Sequence, residues 1–253
     1  MPVPVIQTIN ADLIEVFSSI QGEGPLAGFR QIFIRLAGCN LVCAYCDTDF
    51  RPQAKCRYEP NPATDSWDEW SNPVNLKNVL SQIDAWLTAE PGLHHSVSLT
   101  GGEPLHSVTT LQQWLTPLRQ RLPLHLETNG TLPEALETVC DQIDLISADI
   151  KLASVCGVET PWETHRRFLA IAGQRLLCVK VVIDETTSLD EVRQSAVLLQ
   201  EGGHDVDLIL QPRTTSQGVT IPTAHLFSLQ AAAAIIHPRV RVLPQMHRFL
   251  NLT

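Results

Sequence analysis

Three of the 7 cysteines fall within eight positions, Cys39-Asn40-Leu41-Val42-Cys43-Ala44-Tyr45-Cys46, a C-x3-C-x2-C spacing. Three thiolates on one short loop can hold three irons of a cubane cluster and leave the fourth iron open to a small molecule, whereas electron-transfer clusters close the site with four cysteines. Two other readings stay open on spacing alone. A structural zinc site could recruit Cys56 as a fourth ligand, although such sites usually come as paired C-x2-C knuckles and only Cys43 and Cys46 have that spacing. A thioredoxin-like pair would leave the third cysteine without a role.

A second chemistry-bearing stretch is Thr100-Gly101-Gly102-Glu103-Pro104. Its glycines admit close backbone approach to a ligand, and Glu103 can pair with an ammonium. The histidines His94, His95, His106, His125 and His165 make no metal-ligand spacing with the cysteines and read as core or surface residues. Cys140, Cys156 and Cys178 lie in apolar runs and read as buried and inert, which leaves Cys56 as the outsider able to reach the cysteine loop.

These residues need a scaffold. Apolar, β-prone runs recur at 13–17, 32–36, 96–99, 124–126, 145–148, 178–183, 208–210 and 240–243. Helical patterns sit between most of them: Leu76, Val79, Leu80, Ile83, Trp86 and Leu87 follow i, i+3, i+4, i+7 spacing, and 109–121, 162–172, 189–200 and 224–236 also read as helix. Alternating strands and helices imply parallel strands with right-handed crossovers, hence an α/β sheet or partial barrel. The cysteine loop then directly follows strand 32–36, with Gly38 permitting a tight turn, and the Gly-Gly stretch ends strand 96–99. Segment 51–73 breaks the pattern with Pro52, Pro60, Pro62 and Pro73 beside Asp65, Trp67, Asp68, Glu69 and Trp70. It reads as an inserted loop or flap, its two Trp packed on the barrel wall rather than covering a pocket.

Composition narrows the class. The chain has 253 residues, 44% hydrophobic and 18% charged, which suits one globular domain spanning 1–253 and excludes dominant disorder. Lys plus Arg is 18 against 27 Asp plus Glu, a net charge of −9, so no basic face for nucleic acid is expected. No apolar run is long enough for a membrane span, and Met1-Pro2-Val3-Pro4-Val5 lacks the features of a signal peptide. A cytoplasmic location is expected. The odd cysteine count in a reducing compartment favours metal binding or catalysis over a disulfide framework.

The cysteine spacing after a strand, followed in order by Gly101-Gly102-Glu103-Pro104, resembles the radical S-adenosylmethionine (SAM) superfamily. A closer resemblance is to the 7-carboxy-7-deazaguanine synthase family. It is carried by Phe17-Ser18-Ser19-Ile20-Gln21-Gly22-Glu23-Gly24, by Phe33 to Arg35, by Ala37-Gly38-Cys39-Asn40-Leu41 and by Cys46-Asp47-Thr48. Glu127-Thr128-Asn129-Gly130-Thr131 and Gln211-Pro212 continue it, so that it spans nearly the whole chain apart from the first dozen residues and the 51–73 insert.

The resemblance implies a partial (β/α)6-type barrel holding a 4Fe-4S cluster on Cys39, Cys43 and Cys46, with SAM and Mg²⁺ as further cofactors. It places Ile20, Gln21, Gly22, Glu23, Arg35 and Thr100 at a pterin substrate. Amide and carboxylate groups at Gln21 and Glu23 suit the alternating donors and acceptors of a pterin edge, and the planar guanidinium of Arg35 suits a carboxylate. SAM is expected at Gly102, Glu103, Asp149, Ile150, Lys151, Gln211, Pro212, Arg213 and Thr214. The chain departs from the family's Ser-Pro-Lys segment at Asp149 and Ile150, and from its pattern at Arg213 and Thr214. Glu127, Thr128 and Asn129 are placed near the ribose. Thr48 is the expected magnesium ligand, its octahedron completed by water and substrate oxygens. The segment 245–253 resembles a docked closing tail whose last residue, Thr253, reaches the substrate.

The implied reaction converts 6-carboxy-5,6,7,8-tetrahydropterin to 7-carboxy-7-deazaguanine with loss of ammonia. An electron passes from the cluster to SAM, the resulting radical takes the C6 hydrogen, and the substrate radical contracts its ring with help from Mg²⁺. A flavodoxin or ferredoxin as electron donor and a homodimer are implied as well. Two rival readings are a radical SAM activase that makes a glycyl radical on a partner protein and a non-enzymatic zinc-binding module.

Overall fold

Strand and helix alternate through most of the chain because apolar β-prone runs are separated by segments with one apolar helical face. The computed structural model describes residues 10–46, 49–62, 64, 66–215 and 218–252. In chain order these form β1 (Leu13–Ile20), β2 (Arg30–Leu36), β3 (Lys55–Tyr58), β4 (Asp68–Ser71), α1 (Leu76–Ala89), β5 (Ser96–Gly101), α2 (Val108–Arg119), β6 (Leu124–Thr128), α3 (Pro133–Val139) and β7 (Leu145–Ile150). There follow α4 (Ala153–Cys156), α5 (Trp162–Ala172), β8 (Leu176–Ile183), α6 (Leu189–Glu201), β9 (Asp207–Pro212), β10 (Thr214–Thr215), β11 (Gly218–Val219), α7 (Thr223–Ala234), β12 (Val240–Val242) and α8 (Met246–Phe249).

Ten of these strands make one sheet in the order β12-β9-β8-β7-β6-β5-β2-β1-β3-β4. Six successive parallel strands, β2, β5, β6, β7, β8 and β9, are the partial (β/α)6-type barrel that the resemblance implies. β12 adds a short parallel strand at one side. On the other side β1 runs antiparallel to β2, so the chain enters the sheet before the parallel series begins. The six strands of the parallel series are buried almost throughout, as parallel strands covered by crossover helices must be. Ile32, Ile34, Val97, Leu99, Leu126, Ile146, Val179, Val181 and Leu210 form one core with Val79 and Ile83 of α1, Leu115 of α2, Phe168 of α5 and Val192 of α6.

The 51–73 insert, expected as an inserted loop or flap, carries two short strands. Its β3 and β4 pair antiparallel, and β3 continues the sheet beside β1. Cys56 points into the core, and Tyr58 stacks on Trp70 with ring centroids 4.0 Å apart. Prolines at both ends and a polar composition hide two four-residue strands from any periodicity test. Trp70 does pack on the sheet as expected, and Trp67 lies against Phe17. Among the described residues no helix is long and apolar enough to cross a membrane.

Candidate active site

Strand ends position the site. The cysteine loop leaves the end of β2, the Gly-Gly stretch ends β5, Thr128 and Asn129 end β6, Asp149 to Lys151 end β7, and Gln211 to Thr214 end β9. All of these are C-terminal ends of parallel strands, the face that carries active sites in barrels of this kind. They surround a cleft of about 1110 Å³.

Cys39, Cys43 and Cys46 line this cleft together. The loop is held from beneath. Glu103 donates its backbone N–H to Gly38 O at 2.9 Å, and Gly102 donates to Leu36 O at 3.1 Å. A Cβ at Gly102 would lie 2.0 Å from Gly38 O, so only glycine lets these two loops meet. The glycine here admits a neighbouring loop, and it also lines the cleft. Beside the loop, Cys156 is buried as expected but is not isolated. Its thiol donates to Cys43 and draws the Cys43 thiol down to about 6, with burial opposing and the Lys151 ammonium assisting. Burial raises Cys39. No three His, Cys, Asp or Glu side chains among the described residues are drawn onto a single point; the three thiols instead face the cleft from one loop. This donor set fits an open iron–sulfur cluster. Cys56 does not join it: the residue is fully buried on β3 and its thiol donates to Arg57 O at 3.4 Å.

The SAM-side residues divide. Asp149 Oδ2 accepts from Lys151 Nζ at 3.0 Å, and Lys151 also donates to the Tyr45 hydroxyl at 3.2 Å, which links β7 to the cysteine loop. Burial opposes the charge of Lys151, but Asp149 and Tyr45 hold it well above the usual lysine range. Gln211, Arg213 and Thr214 line the cleft. The buried atoms Gln211 Oε1 and Thr214 Oγ1 have no hydrogen-bond partner among the described residues. Two unpartnered buried polar atoms in a cleft fit a polar ligand such as SAM.

Three expected SAM residues do not line the cleft. Ile150 is buried in the core because its side chain alternates away from Asp149 and Lys151. Pro212 is buried and lies outside the cleft lining for the same reason. Glu103 is fully buried and its carboxylate serves the protein: Oε1 accepts from Leu105 N at 3.0 Å and Thr128 Oγ1 at 2.8 Å, and Oε2 from Asn129 N at 2.7 Å. Burial pushes Glu103 up to about 7 against these three donors. It holds the turn after β6 and does not line the cleft.

At the substrate side, Ile20, Gln21, Gly22, Glu23, Arg35 and Thr100 all line the cleft. The Gln21 amide, however, is spent within the protein. Nε2 donates to Gln31 Oε1 at 2.9 Å and to Glu127 Oε1 at 3.0 Å, and Oε1 accepts from Glu23 N at 3.0 Å. Glu127 also accepts from Ser98 Oγ at 2.6 Å and lines the cleft with Thr128 and Asn129. Glu23 pairs with the ammonium of Lys180, and its Oε1 accepts from Gln245 Nε2 at 2.8 Å. Burial would raise the Glu23 carboxyl, but Lys180 and Gln245 bring it down to about 2. Arg35 lies over the Phe17 ring at 5.5 Å and donates Nε to Glu15 Oε1 at 2.8 Å. Phe17 stacks on Phe33 at 5.0 Å.

The tail docks here too. Met246 N donates to Gly22 O at 2.8 Å, and Gln245, His247, Phe249 and Leu252 line the cleft. Thr48 and Thr253 lie outside the described residues. Sequence reasoning missed Lys180, Glu15 and Arg57. Lys180 is 6% exposed and stands between Glu23 and Asp149, 3.4 Å from Asp149 Oδ1. A single lysine inside the apolar run Leu176–Ile183 was the available signal, since a buried charge needs a partner. Glu15 in Leu13–Ile20 carries the same signal.

The radical SAM superfamily matches residues 33–167. A 7-carboxy-7-deazaguanine synthase of Geobacter sulfurreducens is 43% identical over 244 residues, covering 96% of this chain and 98% of the relative. One of Thermococcus kodakarensis is 33% identical, covering 95% and 98%. Among solved structures, the crystal structure of QueE from Escherichia coli has a TM-score of 0.54 at 20% identity over 94% of this chain and 95% of that one, which shows the fold. This chain therefore belongs to the radical SAM superfamily and, within it, to the 7-carboxy-7-deazaguanine synthase family.

Proposed function

We propose that this chain converts 6-carboxy-5,6,7,8-tetrahydropterin to 7-carboxy-7-deazaguanine and releases one nitrogen as ammonia, a carbon–nitrogen lyase reaction that feeds 7-deazapurine and queuosine synthesis. One observation carries the reading. The cleft lined by the three thiols is also lined by Glu23, held ionised, and by the guanidinium of Arg35. A glycyl-radical activase needs no such pair, and a zinc module needs no such cleft.

The one-electron chemistry that removes the C6 hydrogen is supplied by SAM and the cluster when they are bound. Cys39, Cys43 and Cys46 would hold the cluster, and Gly102, Asp149, Lys151, Gln211, Arg213 and Thr214 would hold SAM. The remaining work belongs to the protein. Arg35 offers its terminal nitrogens to the pterin carboxylate. Glu23 keeps spare lone pairs for the N–H groups of the pterin edge although Lys180 and Gln245 hold it. The stacked Phe17 and Phe33 support an apolar wall beneath the ring, and the docked tail excludes water. Magnesium at Thr48, substrate contact at Thr253, a flavodoxin or ferredoxin donor, a homodimer and a cytoplasmic location belong to the same proposal.

An anaerobic assay of reconstituted protein with SAM, Mg²⁺, reductant and 6-carboxytetrahydropterin, read by mass spectrometry, tests it. Formation of 7-carboxy-7-deazaguanine is expected. 5′-Deoxyadenosine without that product would mean another substrate. Neither product, from protein with an intact cluster, would remove the catalytic assignment.

A further inference from the structure

Glu15 stands between two arginines. Arg35 donates Nε to its Oε1 and Arg57 donates Nη2 to its Oε2, both at 2.8 Å. Strand register makes this one row across four strands: Arg57 of β3 is opposite Glu15 of β1, Glu15 opposite Arg35 of β2, and Arg35 opposite Thr100 of β5. Opposed residues share a face of the sheet, and all four line the cleft. Arg57 is held in place from the other side by Trp67, whose ring centroid lies 4.6 Å from its guanidinium carbon. Both Arg57 and Trp67 belong to the insert, so the hairpin reaches the site through this row.

The charges in the row do not cancel. Two guanidiniums face one carboxylate: Glu15 is 8% exposed, with Arg35 partly buried beside it and Arg57 on the solvent side. Arg35 gives Glu15 one N–H, and its two terminal nitrogens have no hydrogen-bond partner among the described residues. Carboxylates and guanidiniums prefer the two-bond fork. Here the fork is not formed: Arg35 reaches one oxygen of Glu15 and Arg57 takes the other.

We propose that Arg57 is a positioning residue for substrate recognition: by holding Glu15 Oε2 it limits Glu15 to one bond with Arg35 and leaves the terminal nitrogens of Arg35 to the substrate carboxylate. The inference rests on the proposed function, which puts a carboxylated pterin beside Arg35. Without Arg57, Glu15 turns both oxygens to Arg35. The row then loses its excess positive charge, and an incoming carboxylate meets a neutralised pair.

The test compares wild type, Arg57→Met and the double variant Glu15→Gln/Arg57→Met. Each is measured for KM and kcat with 6-carboxytetrahydropterin and for competitive inhibition by 5,6,7,8-tetrahydropterin, which lacks the carboxyl group. Arg57 is 55% exposed, and Met keeps an aliphatic stem over Trp67, so the hairpin retains its packing. Arg57→Met is expected to raise KM about tenfold, the loss of one charge-assisted bond, with kcat and the inhibition constant of tetrahydropterin held. Removing the Glu15 charge in the double variant frees Arg35 again and recovers most of that loss. An unchanged KM in Arg57→Met, a parallel rise in the tetrahydropterin inhibition constant, or a double variant no better than the single one overturns the proposal. A wild type that binds both pterins equally removes the reading of Arg35 itself, and the proposal falls with it.

Discussion

Asn129 donates from Nδ2 to Asn40 Oδ1 across 2.8 Å, which ties the turn after β6 to the cysteine loop 89 residues earlier in the chain. Asn40 in turn donates to Thr131 Oγ1 at 2.8 Å, and Thr131 Oγ1 donates to Asn129 Oδ1 at 2.5 Å. Two motifs that read as separate in the sequence, Gly38-Cys39-Asn40-Leu41 and Thr128-Asn129-Gly130-Thr131, are thus one hydrogen-bonded unit. Glu103 holds its other side through Asn129 N and Thr128 Oγ1.

Breaking this unit is expected to loosen the cluster loop. Outer partners of metal ligands are worth about 10- to 100-fold in metal affinity. Asn129→Ala should therefore release iron to a chelator about tenfold faster than wild type, followed by loss of absorbance near 400 nm under anaerobic conditions. An unchanged release rate would assign the ring to the fold alone.

Gly22 explains how the tail reaches the cleft. A Cβ there would lie 2.2 Å from His247 Nδ1 and 2.7 Å from His247 Cβ, so only glycine lets residues 246–247 pack on it. Gly22→Ala is expected to lift the tail, increase proteolysis within it, and raise the pterin KM about tenfold through lost closure. Cluster content should stay at the wild-type level.

Lys180 bridges the two halves of the site by pairing with Glu23 and Asp149. Burial opposes its charge, but the two carboxylates hold its pKa well above the usual lysine range. Lys180→Met leaves Glu23 without its cation and Asp149 with Lys151 alone, and is expected to destabilise the fold by about 3–5 kcal/mol. The double variant Glu23→Gln/Lys180→Met removes the stranded charge and should regain part of this in urea unfolding. No regain would mean that Asp149 alone bears the loss.

Two buried histidines set an acid limit on stability. Burial lowers both His125 and His165 from an ordinary 6.5 to about 4. In the window between those values the unfolded chain binds protons that the folded chain does not. The stabilisation is therefore complete above pH 6.5 and lost as pH falls toward 4, by roughly 3 kcal/mol for each histidine at the full shift. Glu103 works in the opposite sense, since its raised pKa favours the fold at low pH and is lost as pH rises through about 7. Two histidines outweigh one carboxyl, so unfolding free energy should fall from pH 6.5 to 4. His125→Asn should make that fall shallower. An equal slope in wild type and variant would show that other groups set it.

Much of this protein is decided locally and is readable from the chain. The alternation of apolar runs and helical faces specifies parallel strands, because only the crossover arrangement buries both. The spacing of Cys39, Cys43 and Cys46 puts three thiols on one loop whatever surrounds it. What the chain order cannot show is which polar groups are consumed inside the protein. Glu103 and Gln21 have the right chemistry for ligands, yet tertiary contacts turn their polar atoms toward Asn129, Thr128, Gln31 and Glu127. Lys180 and Glu15 look like interruptions in apolar strands until the sheet registers them beside partners distant in sequence. The insert looked irregular because four-residue strands carry too little periodicity, and only pairing with β1 gives Arg57 its place. Sequence determined the alternating strands and helices of the barrel and the thiol loop, since these depend on near neighbours. Tertiary structure decided the charge pairing of the site, since that depends on which strand lies beside which.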